Sequence, residues 1–249
     1  MPGSGHRNNL LGLLRDEDMG LLRPHLETWS GSVGEAIYDP GDKVTHAYFP
    51  CGMALASSLV ILEDGHAAEA GVVGREGVIG AVISEGRLPA YTRSEVQFAG
   101  PFLRIPAGRL NEARAASQAI RTLLVIYSDC YLAQLQQSIA CNATHTIYQR
   151  TAKWLLAAMA RTGVHEFNLT QDQLAMMLGV GRSYLARVIH AFRSNGFIET
   201  RRGMISITDA KALKRVSCRC EDAVRAHFKF ALDGVYPAAP DSGRKSDVE

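Results

Sequence analysis

The sequence predicts an α+β protein with an N-terminal antiparallel β-roll or jelly roll, a long central helix that serves for dimerisation, and a C-terminal winged helix-turn-helix. Three observations carry this expectation. Short β-type runs punctuated by turn residues fill residues 33–105, a 3-4 apolar repeat runs through residues 120–141, and residues 169–199 hold two helical periods split by a pair of glycines.

The chain has 249 residues, 47% of them hydrophobic, enough for one large or two modest cores and incompatible with a disordered protein. No apolar run reaches the roughly 18–20 residues of a membrane helix, and the start MPGSGHRNNLLGLLRDEDMG lacks a signal-peptide core. A soluble, cytoplasmic protein with no membrane partner is expected. The five cysteines are odd in number and scattered, which argues against a disulfide framework. The net charge of +2 conceals an asymmetry: residues 1–141 carry 11 Lys/Arg against 15 Asp/Glu, and residues 142–215 carry 11 against 4. The positive potential therefore belongs to the C-terminal half, where binding to phosphates would need it.

In chain order, Leu10 to Leu26 reads as a short amphipathic helix. The turn signals YDPGD, CG, EDG, GREG, SEGRLP and AGP then separate the strands of a small antiparallel barrel or roll. Glu63-Asp64-Gly65 is the best-marked hairpin, since Asp-Gly suits a tight primed turn. From Pro106 the pattern is helical. Ile120, Leu123, Tyr127, Cys130, Gln134, Gln137 and Cys141 follow a 3-4 spacing, with Leu124, Tyr131 and Leu135 as a neighbouring row. That seam is wider than one small roll covers. A homodimer interface through Ile120, Leu123, Leu124, Tyr127, Cys130, Tyr131 and Gln134 is the reading it favours, with burial inside the same chain as the alternative. Asn142 to Thr144 is the expected hinge before a second helix whose core residues are Trp154, Leu155 and Met159.

The segment LTQDQLAMMLGVGRSYLARVIHAFRSNGFIE explains its own glycines. Thr170 with Gln173 makes a capping box, Gly179 stops the first helix at Leu178, Gly181 is an acceptable N-cap for the second, and Gly196 ends it. Two short helices around a Gly-containing turn form the helix-turn-helix of DNA-binding domains. At about 100 degrees per residue, Leu185, Val188, Ile189 and Phe192 face inward while Ser183, Arg187, His190 and Ser194 face out, and Arg182 sits in the first turn. Arginine there can bond O6 and N7 of guanine together. Next, FIETRRGMISITDA reads as a hairpin with Arg201-Arg202-Gly203 at its tip, a wing suited to phosphate contacts, although a solvated turn tolerates two arginines as well.

The arrangement resembles the Crp/Fnr superfamily of bacterial transcription regulators over roughly residues 20–228, most specifically in the helix-turn-helix segment and in YDPGDKVTHAYFPCG. The resemblance implies that Arg182 and Arg187 read bases and that Thr170 and Gln171 contact phosphates. Ser183 stands where better-known members place a glutamate, which alters the operator expected. The double-stranded DNA would be a near-palindrome bound by a homodimer, with RNA polymerase as the partner of an activator. Cyclic-nucleotide-binding members resemble one another in a Gly-Glu pair followed by an Arg-Ser pair. The equivalents here are Glu76 in GREGVIG and Arg93-Ser94 in YTRSEV, in the reverse order Glu-Gly and at a longer spacing, so these effector candidates argue against cyclic AMP as ligand. Iron-sulfur members cluster their cysteines near the N-terminus, whereas the first cysteine here is Cys51. Cys218 and Cys220, taken on one helix, would point about 200 degrees apart and share no ion. His46 and His66 read as surface histidines. No metal, no cofactor and no enzymatic activity are expected.

The domains are then residues 1–116 for the effector roll, 117–141 for the dimerisation helix, 142–232 for the DNA-binding domain and 233–249 for a disordered tail. Two alternatives stay open: a metal-dependent enzyme built on the roll, and a regulatory module that keeps the fold without binding DNA.

Overall fold

The computed structural model describes residues 7–80 and 87–236. Most of the expected tail and residues 84–86 of the SEGRLP turn lie outside them. The N-terminal helix expected over Leu10 to Leu26 is broken: a 3-10 turn at Leu11–Leu13, α1 at Asp16–Leu22, and a second 3-10 turn at Arg23–His25. Leu14 is extended between the first two. That kink lets Leu10, Leu11 and Leu22 all reach the core, which one straight helix could not do.

Seven strands follow: β1 (Glu27–Gly31), β2 (Ala36–Tyr38), β3 (His46–Pro50), β4 (Leu55–Ile61), β5 (Ala67–Val73), β6 (Arg93–Phe98) and β7 (Gly100–Pro106). They form two antiparallel sheets, ordered β1-β7-β3 and β2-β6-β4-β5. Between them Trp29 packs edge-on to Tyr48 at 5.3 Å and against Phe102 at 5.2 Å, over Tyr38 and Val96. Gly31 has no room for a side chain, since a Cβ would come within 2.8 Å of Val96. The β4–β5 hairpin forms where Asp64-Gly65 predicted it, but its turn is wider than two residues: Leu62 donates to His66 O, and Gly65, at φ 81°, donates to Leu62 O.

Helices α2 (Ala107–Ala116), α3 (Gln118–Thr144) and α4 (Ile147–Thr162) follow. The Ser117 hydroxyl caps α3 by accepting from Ile120 N–H. Asn142 to Thr144 are not a hinge but the last turn of α3, where the Thr144 hydroxyl donates back to Ala140 O. The break falls at His145-Thr146, because Thr146 and Gln149 make a capping box that starts α4. The C-terminal half contains β8 (Glu166–Asn168), α5 (Gln171–Leu178), α6 (Arg182–Ser194), β9 (Ile198–Arg201) and β10 (Met204–Ile207), then α7 (Ala210–Val216) and α8 (Cys220–Ala231). Strand β8, too short to show a period, completes a sheet of order β8-β10-β9. The single helix expected across Cys218 and Cys220 is two helices, since Ser217 is extended and ends α7.

The inner face of α3 overturns the interface assignment. Ile120, Leu124, Tyr127, Cys130 and Gln134 are buried in their own chain, with Leu123 and Tyr131 half-buried beside them. Part of that row packs against the roll, and part against α8 through Val224 and Phe228. The apolar repeat is a seam after all, but its partners are intramolecular; α8 supplies the cover that the roll alone could not. The start of the expected tail is packed as well: Val235 is fully buried and its carbonyl accepts from Asn9.

Tyr127 shows how tightly α3 is seated. Its hydroxyl donates to Val78 O at 3.1 Å, and a Cβ on Gly77 would clash with that hydroxyl. Gly77→Ala should therefore overpack the joint and lower stability by about 1–3 kcal/mol. Urea denaturation of the variant checks this; an unchanged midpoint would show that α3 can shift to make room.

Candidate nucleic-acid interface

The local sequence dictates the two helices. Thr170 accepts from Gln173 N–H while the Gln173 side chain accepts from Thr170 N–H, so α5 starts with both ends of its capping box made. Gly179, at φ 63°, takes the left-handed conformation that ends it and starts the turn. Leu185, Val188, Ile189 and Phe192 bury one face of α6 against Leu174, Met177, Leu178 and Trp154. The opposite face is left to solvent, and Arg182, Ser183, Arg187 and His190 are all exposed on it.

The wing forms beside this face. Gly203, at φ 72°, closes the turn between β9 and β10, and Arg201 and Arg202 stand exposed at the tip. Thr170, Gln171, Arg182, Arg201 and Arg202 line one cleft between the start of α5 and the wing, and His190 and Arg201 line a second between α6 and β9. The geometry thus gathers these six of the proposed DNA-contacting residues around the wing, while Ser183 and Arg187 stand on the exposed face of α6 outside the two clefts. Two neighbours escaped sequence reasoning. Asp172 holds Arg182 Nε at 2.9 Å, and Tyr184 carries the Arg187 guanidinium over its ring at 5.3 Å. The exposed Asp172–Arg182 pair is worth little in water, so a phosphate or base can displace it. An Arg stacked on Tyr is already partly ordered, which lowers the cost of presenting it.

Residues 149–216 match the family described as the Crp-like helix-turn-helix domain. That segment is a Crp-like helix-turn-helix domain. The fold agrees over most of the length. FixK2 of Bradyrhizobium japonicum is 15% identical, with a TM-score of 0.65, over 78% of this chain and 98% of its own. A CRP/FNR-family transcriptional regulator of Thermus thermophilus is 22% identical, with a TM-score of 0.62, over 77% and 98%. The c-di-GMP responsive global regulator CLP of Xanthomonas campestris is 13% identical, with a TM-score of 0.63, over 78% and 100%. No curated protein matches the sequence. The protein is accordingly a DNA-binding transcription regulator, built as an antiparallel β-roll, a long helix and a winged helix-turn-helix. Among the described residues no helix is long and apolar enough to cross a membrane.

The effector candidates are not brought together as a cradle. Arg93 is held on the outside of the roll, its Nε donating to Glu95 and its Nη1 to Asp39, each at 2.8 Å. Ser94 is buried within β6, paired with Tyr38 of β2 and Ser58 of β4. Glu76 is buried against Arg161 of the DNA-binding half, which donates from Nε at 2.9 Å. The same guanidinium donates to Glu221 of α8 at 2.7 Å and to Gln134 of α3 at 2.9 Å, and it lies over the Tyr236 ring at 5.5 Å. Burial works against its charge, but Glu221, Tyr236 and Glu76 raise its pKa well above the ordinary value. The signal for it in the sequence was weak: an arginine seven residues after Trp154, hence on the buried stripe of α4. A second link joins Trp154 Nε1 to Glu69 of β5 at 2.9 Å; burial pushes the Glu69 pKa up against the hydrogen bonds from Ser57 and Trp154. The cavity left between β5, α3, α4 and α8 is only about 40 Å³, against the roughly 300–1,000 Å³ of ordinary ligand sites.

Arg161→Met should leave the buried Glu76 and the part-buried Glu221 without their shared cation and cost about 3–5 kcal/mol. Arg161→Lys should recover only part of this, because one ammonium cannot serve Glu76, Glu221 and Gln134 with the planar fork's geometry. Denaturation midpoints of the three proteins make the comparison; equal midpoints would deny the network its role.

Proposed function

We propose that the protein regulates transcription as a homodimer on a near-palindromic operator, reading bases with Arg182, Ser183, Arg187 and His190 of α6. Thr170, Gln171, Arg201 and Arg202 would contact phosphates. The observation that carries this is the exposed polar face of α6 flanked by a basic wing, within a matched Crp-like helix-turn-helix domain. In this geometry α6 enters the major groove by its first turns, and half-sites stand about 34 Å apart. RNA polymerase is the further partner if regulation is positive, and the cytoplasm is the compartment where both are met.

The dimer would use the outer face of α3. Val125, Leu132 and Ile139 are 49%, 51% and 71% exposed. With Thr122, Asp129 and Gln136 they repeat at alternating steps of three and four, the spacing of a two-stranded coiled-coil seam. This is the stripe opposite the one the apolar repeat marked. Replacing Leu132 and Ile139 with glutamate should give monomers by light scattering, with the fold intact by circular dichroism. A double variant that stays dimeric would move the interface elsewhere.

Base reading and phosphate contact differ in kind. Arg187→Ala should cost about 1–3 kcal/mol per half-site and relax preference at one base position. Arg201→Ala or Arg202→Ala should weaken binding to all sequences and flatten the salt slope by about one unit. Titration of a duplex selected from a random library, against its scrambled version and at several salt concentrations, separates them. Equal losses on both duplexes for Arg187→Ala would make α6 a phosphate clamp instead of a reader.

A further inference from the structure

The break between α7 and α8 has a chemical consequence. Ser217 turns the chain so that Cys218 and Cys220 no longer sit on opposite sides of one helix but converge on the C-terminal turn of α3. There they meet Cys141 and, at the α3–α4 joint, His145. The four ligand atoms all lie within 4.8 Å of one another. All three thiols are buried and the imidazole is half-buried.

The spacings match one metal ion. Metal–sulfur bonds of about 2.3 Å and metal–nitrogen bonds of about 2.0–2.1 Å, set tetrahedrally, separate two sulfurs by about 3.7–3.8 Å and a sulfur from a nitrogen by about 3.6 Å. Cys141 Sγ stands 3.7 Å from Cys218 Sγ, and Cys220 Sγ stands 3.5 Å from His145 Nδ1. A multi-iron cluster would spread its ligands over several metal centres and hold them farther apart. Polar groups behind the sulfurs are of the right kind as well. Gln137 Nε2 donates to Cys220 Sγ at 3.2 Å and Lys153 Nζ to Cys141 Sγ at 3.6 Å, N–H donors that favour thiolates.

We propose that Cys141, His145, Cys218 and Cys220 bind one thiophilic divalent cation of the zinc kind. Three sulfurs and one imidazole form a closed tetrahedral set, as in structural zinc sites, with no position left for substrate. On binding, the thiol protons pass to solvent and the thiolates carry the bonds. The ion ties the end of α3 and the first residue of the joint to the start of α8. It therefore fixes the angle at which the DNA-binding half leaves the long helix. The site was hidden in the sequence because its ligands lie 77 positions apart and a continuous helix would have separated Cys218 from Cys220.

The test uses the full chain, purified with reductant, loaded with zinc chloride, desalted and analysed by plasma mass spectrometry. One zinc per chain is expected in the wild type and in Cys51→Ser, and loss of that zinc in Cys218→Ser. His145→Ala, which keeps three sulfurs, should bind at least about tenfold more weakly, since even outer-shell partners are worth about 10–100-fold in affinity. Cobalt(II) loading should give the intense visible bands of a tetrahedral thiolate site, and backbone hydrogen exchange across residues 141–147 should slow when zinc is bound. Wild type holding no more zinc than Cys218→Ser would overturn the proposal. So would several irons with sulfide per chain, or a Cys141–Cys218 disulfide that zinc fails to prevent. These measurements use no DNA, so their failure leaves the DNA-binding reading where it stands.

Discussion

One buried guanidinium holds this molecule's parts together. Arg161 projects from α4 into a buried space between the roll, the long helix and α8, and its three nitrogens reach a different element each: Glu76 beside the roll, Gln134 on α3 and Glu221 on α8. Taking such a charge out of water is expensive, and two carboxylates with an amide are what make it tolerable. The planar fork matters because it sets the directions in which all three partners must lie. Once they do, the position of the DNA-binding half relative to the roll is constrained by bonds and not only by apolar contact.

The apolar contacts then agree with that constraint. Phe98 at the end of β6 stacks on Phe167 of β8 at 5.2 Å and meets Trp154 edge-on, so the cores of the roll and of the helix-turn-helix are continuous at Leu55 and Phe98. Trp154 carries both links, packing by its ring and bonding Glu69 by its indole N–H. Tyr127, Tyr131 and Arg161 tie the roll to the helices beside it, through Val78, Ser58 and Glu76 in turn.

The exposed face of α6 and the wing are built in the opposite way. Their charged side chains are exposed, held by weak surface pairs such as Asp172–Arg182 or by a single ring, and positioned by buried neighbours one turn away. Rigid support with loosely held tips suits a surface that must exchange water for phosphates and base edges. The charge asymmetry between the halves has the same sense, with 11 Lys/Arg against 4 Asp/Glu over residues 142–215.

Local pattern alone was enough for the helix-turn-helix, its capping box, the glycine stop, the wing and the β4–β5 hairpin. Each depends on residues within a few positions of one another, and their propensities all agree. It was also enough to show that α3 carries an apolar seam. What lay along that seam was decided by tertiary structure: periodicity reports that a face is buried but not by what, and α8, some 85 to 100 residues farther on, took the place assigned to a second chain. The same limit hid Arg161, whose partners come from three distant elements, and the convergence of Cys141, His145, Cys218 and Cys220, which depends on one extended residue at Ser217. Helical and strand periods are properties of neighbours along the chain; burial partners, ion networks and ligand sets are properties of neighbours in space, and only the folded chain brings those together.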